Sequence, residues 1–81
     1  MISLILYSTA GCHLCELAEA QLQQALPMFN LSWRCVDIAD SPELMELYGV
    51  RIPVVAEPGS GREIGWPFGQ PELRAWLAQL S

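Results

Sequence analysis

Two cysteines separated by two residues, Cys12 and Cys15, stand where a short apolar run gives way to a helical pattern. That junction constrains the fold more than any other feature of the chain. Ile2 to Tyr7 reads as a strand, and its near-continuous apolar character fits a central position covered on both faces. Beyond the junction, Leu14, Leu17, Ala18, Leu22, Ala25 and Leu26 recur at helical spacing, so a helix is expected from Cys12 to about Leu26, ended by Pro27. The first turn of a helix carries backbone N–H groups without intrahelical partners and the positive end of the helix dipole. Both favour a thiolate over a thiol, so a cysteine placed there can ionise well below its usual pKa of about 8.5.

The rest of the chain extends this corner into a layered α/β pattern. After a turn at Met28 to Asn30, Ser32 to Ile38 is rich in aromatic and β-branched residues and reads as a second strand. Strand, helix and strand make a βαβ unit, which is almost always parallel and right-handed. Asp40-Ser41-Pro42-Glu43 then opens a short helix whose apolar face is Leu44, Met45, Leu47 and Tyr48, with Gly49 as its stop. Val50 to Ala56 is a third strand, Pro58-Gly59-Ser60-Gly61 a turn, and Arg62 to Trp66 a fourth strand. So short a connection joins antiparallel strands. A turn at Trp66 to Gly69 leads to a last helix opened by Gln70-Pro71-Glu72, with Leu73, Trp76, Leu77 and Leu80 on one face. No repeat or linker interrupts the 81 residues, so residues 1–81 read as one βαβαββα domain.

Composition narrows the function classes. Four arginines, no lysine and nine acidic residues give a net charge of -5, which offers no footprint for nucleic acid and no attraction to an anionic membrane. Three cysteines and no secretory leader make a reducing cytoplasm the expected compartment. There, a CxxC pair is catalytic or metal-binding more often than structural. In the catalytic reading Cys12 attacks as thiolate and Cys15, one turn on along the same face, resolves the mixed disulfide. His13, when protonated, would further favour the Cys12 thiolate. A zinc clip would need two more N or S ligands, and only Cys35 and His13 remain, the latter poorly placed beside Cys12. No metal site is therefore expected, and the dithiol takes precedence over a metal clip or inert thiols. The rival class is a non-enzymatic module, holding a metal or an iron–sulfur cluster through Cys12 or serving as a protein-interaction platform.

Pro53 is the second point of interest. By itself, a proline opening a strand marks an edge or a turn, and most X–Pro bonds are trans. If strand three lies beside strand one, however, its start comes to the rim where Cys12 sits. A cis bond there would turn the Ile52 backbone outward to pair with an extended substrate. Gly11-Cys12-His13-Leu14-Cys15 after the first strand, Val36-Asp37-Ile38 ending the second and Arg51-Ile52-Pro53-Val54 before the hairpin together resemble the thioredoxin superfamily, and within it the small glutaredoxin-like proteins. The Gly-Cys-His-Leu-Cys and Gly-Trp-Pro-Phe segments are similar to those of a bacterial glutaredoxin-like subgroup. The resemblance covers essentially the full chain. It implies a four-stranded mixed sheet in the order 2-1-3-4 flanked by helices, a cis bond at Pro53, and thiol–disulfide exchange with Cys12 as nucleophile. The partners expected are a disulfide in a protein or small molecule and a thiol reductant, with no tightly bound cofactor.

Glutathione is a possible reductant, but the departures from the family pattern speak against a built site for it. Glutaredoxins usually carry a lysine shortly before the CxxC, often Pro-Tyr between the cysteines, and Gly-Gly followed by an acid near the last helix. Here lysine is absent, the middle pair is His13-Leu14, and Gly65-Trp66-Pro67-Phe68 occupies the last region. Arg51 is expected as a solvated surface residue with the option of binding a carboxylate. Tyr7 and Trp66 join Ile52, Pro53 and Arg51 as the expected substrate-contacting set. Trp66 and Phe68 read first as hairpin and core packing, and as an apolar lip if exposed. Cys35 reads as a small buried hydrophobe in its strand. Asp37 reads as a strand-end or turn carboxylate, with a proton acceptor for Cys15 as the alternative.

Overall fold

The computed structural model of the chain describes residues 3–29 and 31–80. Ile2 and Asn30, placed above in a strand and a turn, lie outside the described residues. The elements run β1 (Ser3–Ser8), α1 (His13–Ala25), β2 (Ser32–Asp37), α2 (Pro42–Tyr48), β3 (Val54–Glu57), β4 (Arg62–Gly65) and α3 (Gln70–Leu80), with 3-10 turns at Leu26–Met28 and Ile38–Asp40. The four strands form one sheet in the order β2-β1-β3-β4, as the family resemblance implies. β1 and β2 are parallel, with Leu6 opposite Cys35 and Ser8 opposite Asp37. β3 runs antiparallel to β1, with Tyr7 opposite Val54, and β4 antiparallel to β3.

Alternation along β1 sends its side chains to opposite faces of the sheet. Leu4 and Leu6, with Val55 of β3, pack against Ala18, Leu22, Leu73 and Leu77 from α1 and α3 in the larger core. Tyr7, with Val54, faces Leu44 and Tyr48 of α2, the buried Ile38 and Ile52 in a smaller cluster. Trp33, Trp66 and Trp76 pack at the margin of the larger core, and Phe68 is buried within it. These aromatic residues therefore all contribute to core packing.

Three expectations need correction. The third strand starts at Val54, not Val50. The N–H groups of Arg51 and Ile52 both donate to the Tyr48 carbonyl, at 2.8 and 3.1 Å, so the chain turns tightly off α2 and leaves Val50 100% exposed. The apolar face of α2 is also narrower than expected: Tyr48 is buried, whereas Met45 and Leu47 are 47% and 60% exposed. A seven-residue helix lying on a small cluster presents only the i, i+4 pair Leu44 and Tyr48 to it. Gly49 ends the helix as expected, in right-handed conformation at φ −52°. Glycine is needed there for space, because a Cβ would collide with the Met45 carbonyl. Finally, Cys35 is exposed. Its register with Leu6 turns it to the α1 side, but β2 is an outer strand and gives that position little cover.

Candidate redox site

The β1–α1 corner is built by a glycine and a cap. Gly11 takes a left-handed φ of 76°, which a side chain would strain, and lets the chain turn from the strand into the helix. Cys12 then occupies the N-cap of α1 in extended conformation. An N-cap residue is commonly Ser, Thr, Asp or Asn, whose side-chain oxygen accepts an orphan N–H of the first turn. Here sulfur does that work: the Cys15 N–H donates to Cys12 Sγ at 3.1 Å. The atom expected to carry negative charge thus already has a backbone donor aimed at it.

Cys12 and Cys15 are joined as a disulfide, with their Cα atoms 5.2 Å apart. The two sulfurs are unequal. Cys12 is half-buried, and Cys15, facing inward from the first turn of α1, is 5% exposed. His13 points into solvent, with its Nδ1 3.6 Å from a Glu16 carboxylate oxygen. Any positive charge on His13 is therefore shared with an acid in the same turn.

The Ile52–Pro53 bond is cis. Because Tyr7 lies opposite Val54, continuing the register brings Pro53 opposite Ser8, at the same sheet edge from which the chain enters the Cys12 corner. Pro53 is buried, and its carbonyl accepts the Trp66 N–H at 3.1 Å, which ties this edge to the end of β4. Ile52 keeps only half of its expected pairing capacity. Its N–H is taken by Tyr48, so a substrate strand would meet it through the carbonyl. A second cis bond, Trp66–Pro67, lies just beyond β4. No local feature of the sequence pointed to it.

Tyr7, Arg51 and Trp66 are brought near this edge but are already engaged. Tyr7 stacks on Tyr48 with ring centroids 4.3 Å apart and planes at 15°. Trp66 meets Phe68 edge to face at 5.1 Å. Arg51 is not simply solvated: Nη2 donates to Glu63 Oε1 at 2.9 Å, and its guanidinium lies 5.2 Å from the Tyr48 ring centroid. Glu63 Oε2 accepts the Tyr48 hydroxyl. This network pushes the Tyr48 phenol up to about 12, chiefly through its hydrogen bond to Glu63. The same bond, with that from Arg51, holds the Glu63 carboxyl below its usual range. Glu63 was missed in the sequence. It lies in the expected fourth strand with no motif to mark it, and only the register of β4 beside β3 carries it to Tyr48 and Arg51.

Asp37 is exposed and accepts the Ala39 N–H at 2.9 Å, capping the turn after β2 as a strand-end carboxylate does. Partial desolvation of its sulfur, and then the negative charge of Glu19, pushes the Cys35 thiol up. Among the described residues no three His, Cys, Asp or Glu side chains converge as a metal ion would require.

Comparison with known proteins adds an independent finding. Residues 3–78 match the family described as the glutaredoxin-like domain (DUF836). No curated protein sequence matches the chain. Among solved structures, the X-ray structure of the structural-genomics target XcR50 from X. campestris is 43% identical, with a TM-score of 0.84 over 94% of this chain and 96% of that one. The solution structure of Ne2328 from Nitrosomonas europaea is 25% identical, with a TM-score of 0.79 over 93% and 89% of the two chains. Thioredoxin 1 from Thermosipho africanus shares the fold at 13% identity, with a TM-score of 0.71 over 96% and 92%.

Proposed function

The chain belongs to the glutaredoxin-like domain family of the thioredoxin superfamily, and from that premise we propose that it is a thiol–disulfide oxidoreductase. One observation carries the reading: Cys12 caps α1 with its sulfur, half-buried and bonded to the inward Cys15, beside the edge that holds the cis Ile52–Pro53 bond.

In the reduced protein the Cys12 thiolate attacks one sulfur of a substrate disulfide. The Cys12–substrate bond forms, the substrate disulfide breaks, and the departing thiolate takes a proton from water. Cys15 then gives up its proton and attacks Cys12 Sγ. This forms the intramolecular disulfide and releases the second substrate thiol, so that two electrons have passed to the substrate. Burial of Cys15 protects it from outside disulfides, and its position one turn along the helix keeps it within reach of Cys12. A thiol reductant returns the protein to the dithiol form. The substrates are disulfides of proteins or small molecules, and the reducing cytoplasm is the proposed setting. Among the described residues no helix is long and apolar enough to cross a membrane.

A Cys15→Ser variant tests this directly. It should accumulate a mixed disulfide through Cys12 that mass spectrometry of tryptic peptides locates, and Cys12→Ser should accumulate none. Failure of Cys15→Ser to trap any disulfide substrate at Cys12 would remove the reading.

A further inference from the structure

The edge that carries Pro53 has one arginine close by in sequence, and it is already committed. Of the four arginines, Arg34 projects from the outer strand β2, Arg62 sits at the hairpin end of β4, and Arg74 donates to Gln70 on α3 at 2.9 Å. Only Arg51, two residues before the cis proline, belongs to the α2–β3 segment at the site edge. Its Nη2 lies 2.9 Å from Glu63 Oε1, and the other carboxylate oxygen is taken by the Tyr48 hydroxyl. The tyrosine ring, stacked on Tyr7, holds the assembly from below. The charge is thus neutralised by an acid that is itself fixed in place. On the α1 side of the edge, His13 lies next to Glu16.

An anionic thiol such as glutathione has carboxylates to place, and a free guanidinium beside the proline would attract them. We propose that Glu63 sets the charge selectivity of the site. By holding Arg51 it denies anionic thiols a cationic partner and leaves neutral and cationic thiols and disulfides as the favoured reactants. The proposal rests on the thiol–disulfide reading and names the reactant class of that same site. Glu63 touches no reacting atom and acts through Arg51 as a positioning residue.

The reaction to measure is opening of the Cys12–Cys15 disulfide. A thiolate attacks Cys12 Sγ, a mixed disulfide forms and Cys15 leaves as a thiol after taking a proton from water. A second thiol then releases Cys12 and carries away the two oxidising equivalents as its own disulfide. Oxidised wild type, Glu63→Gln, the Glu63→Gln/Arg51→Gln double variant and Glu57→Gln are each treated at low salt with glutathione, 2-mercaptoethanol and cysteamine. These probes are anionic, neutral and cationic. Glu57 neighbours Glu63 across the ladder but accepts the Ser60 N–H and does not hold Arg51, so Glu57→Gln makes the same change in net charge without freeing the guanidinium.

In Glu63→Gln the ratio of the glutathione rate to the 2-mercaptoethanol rate should rise about two- to fivefold, the size of one exposed ion pair. The cysteamine ratio should fall, and added salt should erase both shifts. The double variant should return to the wild-type ratio, and Glu57→Gln should leave it unmoved. Using a ratio removes any general loosening of the fold, which slows or speeds all three probes together. An unchanged ratio in Glu63→Gln, an equal rise in Glu57→Gln, or a rise that survives in the double variant overturns the proposal. If no probe opens the wild-type disulfide, the thiol–disulfide reading itself fails, an outcome distinct from measurable rates with an unchanged ratio.

Discussion

The two faces of the sheet are built from different materials. Toward α1 and α3 the contacts are apolar and dense, with Leu4, Leu6, Leu22, Val55, Leu73 and Leu77 all buried. Toward α2 the buried cluster is small, and its outer part is a stacked tyrosine pair tied to Glu63 and Arg51. The first face gains stability in proportion to the apolar area it removes from water. The second gains less, because an ion pair and hydrogen bonds near the surface exchange one set of partners for another. In return it has direction. It fixes where the segment between α2 and β3 runs, and hence where Ile52 and Pro53 lie. One face supplies most of the stability and the other shapes the edge beside Cys12.

The largest test of this division is a truncation in the dense face. Leu22 is 0% exposed, and Leu22→Ala should cost about 2–5 kcal/mol by urea unfolding. The rate of disulfide exchange per folded molecule should stay unchanged. A loss of activity in the folded fraction would show that the faces are not separable in this way.

A smaller effect is expected opposite it. Tyr48→Phe keeps the stacked ring and removes only the donor to Glu63, for a cost of about 1 kcal/mol, since the carboxylate can rehydrate. A cost as large as that of Leu22→Ala would mean that the polar face shares the main burden.

The pH dependence sharpens the same contrast. Glu63 is held below its ordinary range, first by Tyr48 and then by Arg51, so its contribution is complete above the unfolded value of about 4.3. That contribution is lost as pH falls through the lower folded value. Tyr48 is raised to about 12, so its contribution is complete below the unfolded value of about 10 and lost as pH climbs toward 12. Stability measured against pH should therefore decline at both ends. Glu63→Gln should flatten the acid decline and Tyr48→Phe the alkaline one, whereas Leu22→Ala should lower the whole curve without reshaping it.

The smallest effect belongs to Cys35. Exposed on the outer strand, it should tolerate Cys35→Ala within about 0.5 kcal/mol. Because partial desolvation of its sulfur and then Glu19 push its thiol up, alkylation by iodoacetamide at neutral pH should be slower than that of free cysteine.

The sequence alone determined the Cys12 corner and the order of elements around it. An apolar run, a glycine at position 11, leucines and alanines at helical spacing and a proline at position 27 are local signals, and the backbone obeys them over a few residues at a time. The antiparallel hairpin after Pro58 was legible for the same reason, because a four-residue connection leaves no other geometry. Tertiary structure decided what depends on which strand lies beside which. The exposure of Cys35 follows from β2 lying at the sheet edge. The capture of Arg51 by Glu63, twelve positions away, follows from the register of β4 against β3 beneath Tyr48. Backbone propensity acts along the chain. Burial and charge pairing act through space, and only the assembled sheet says which residues become neighbours.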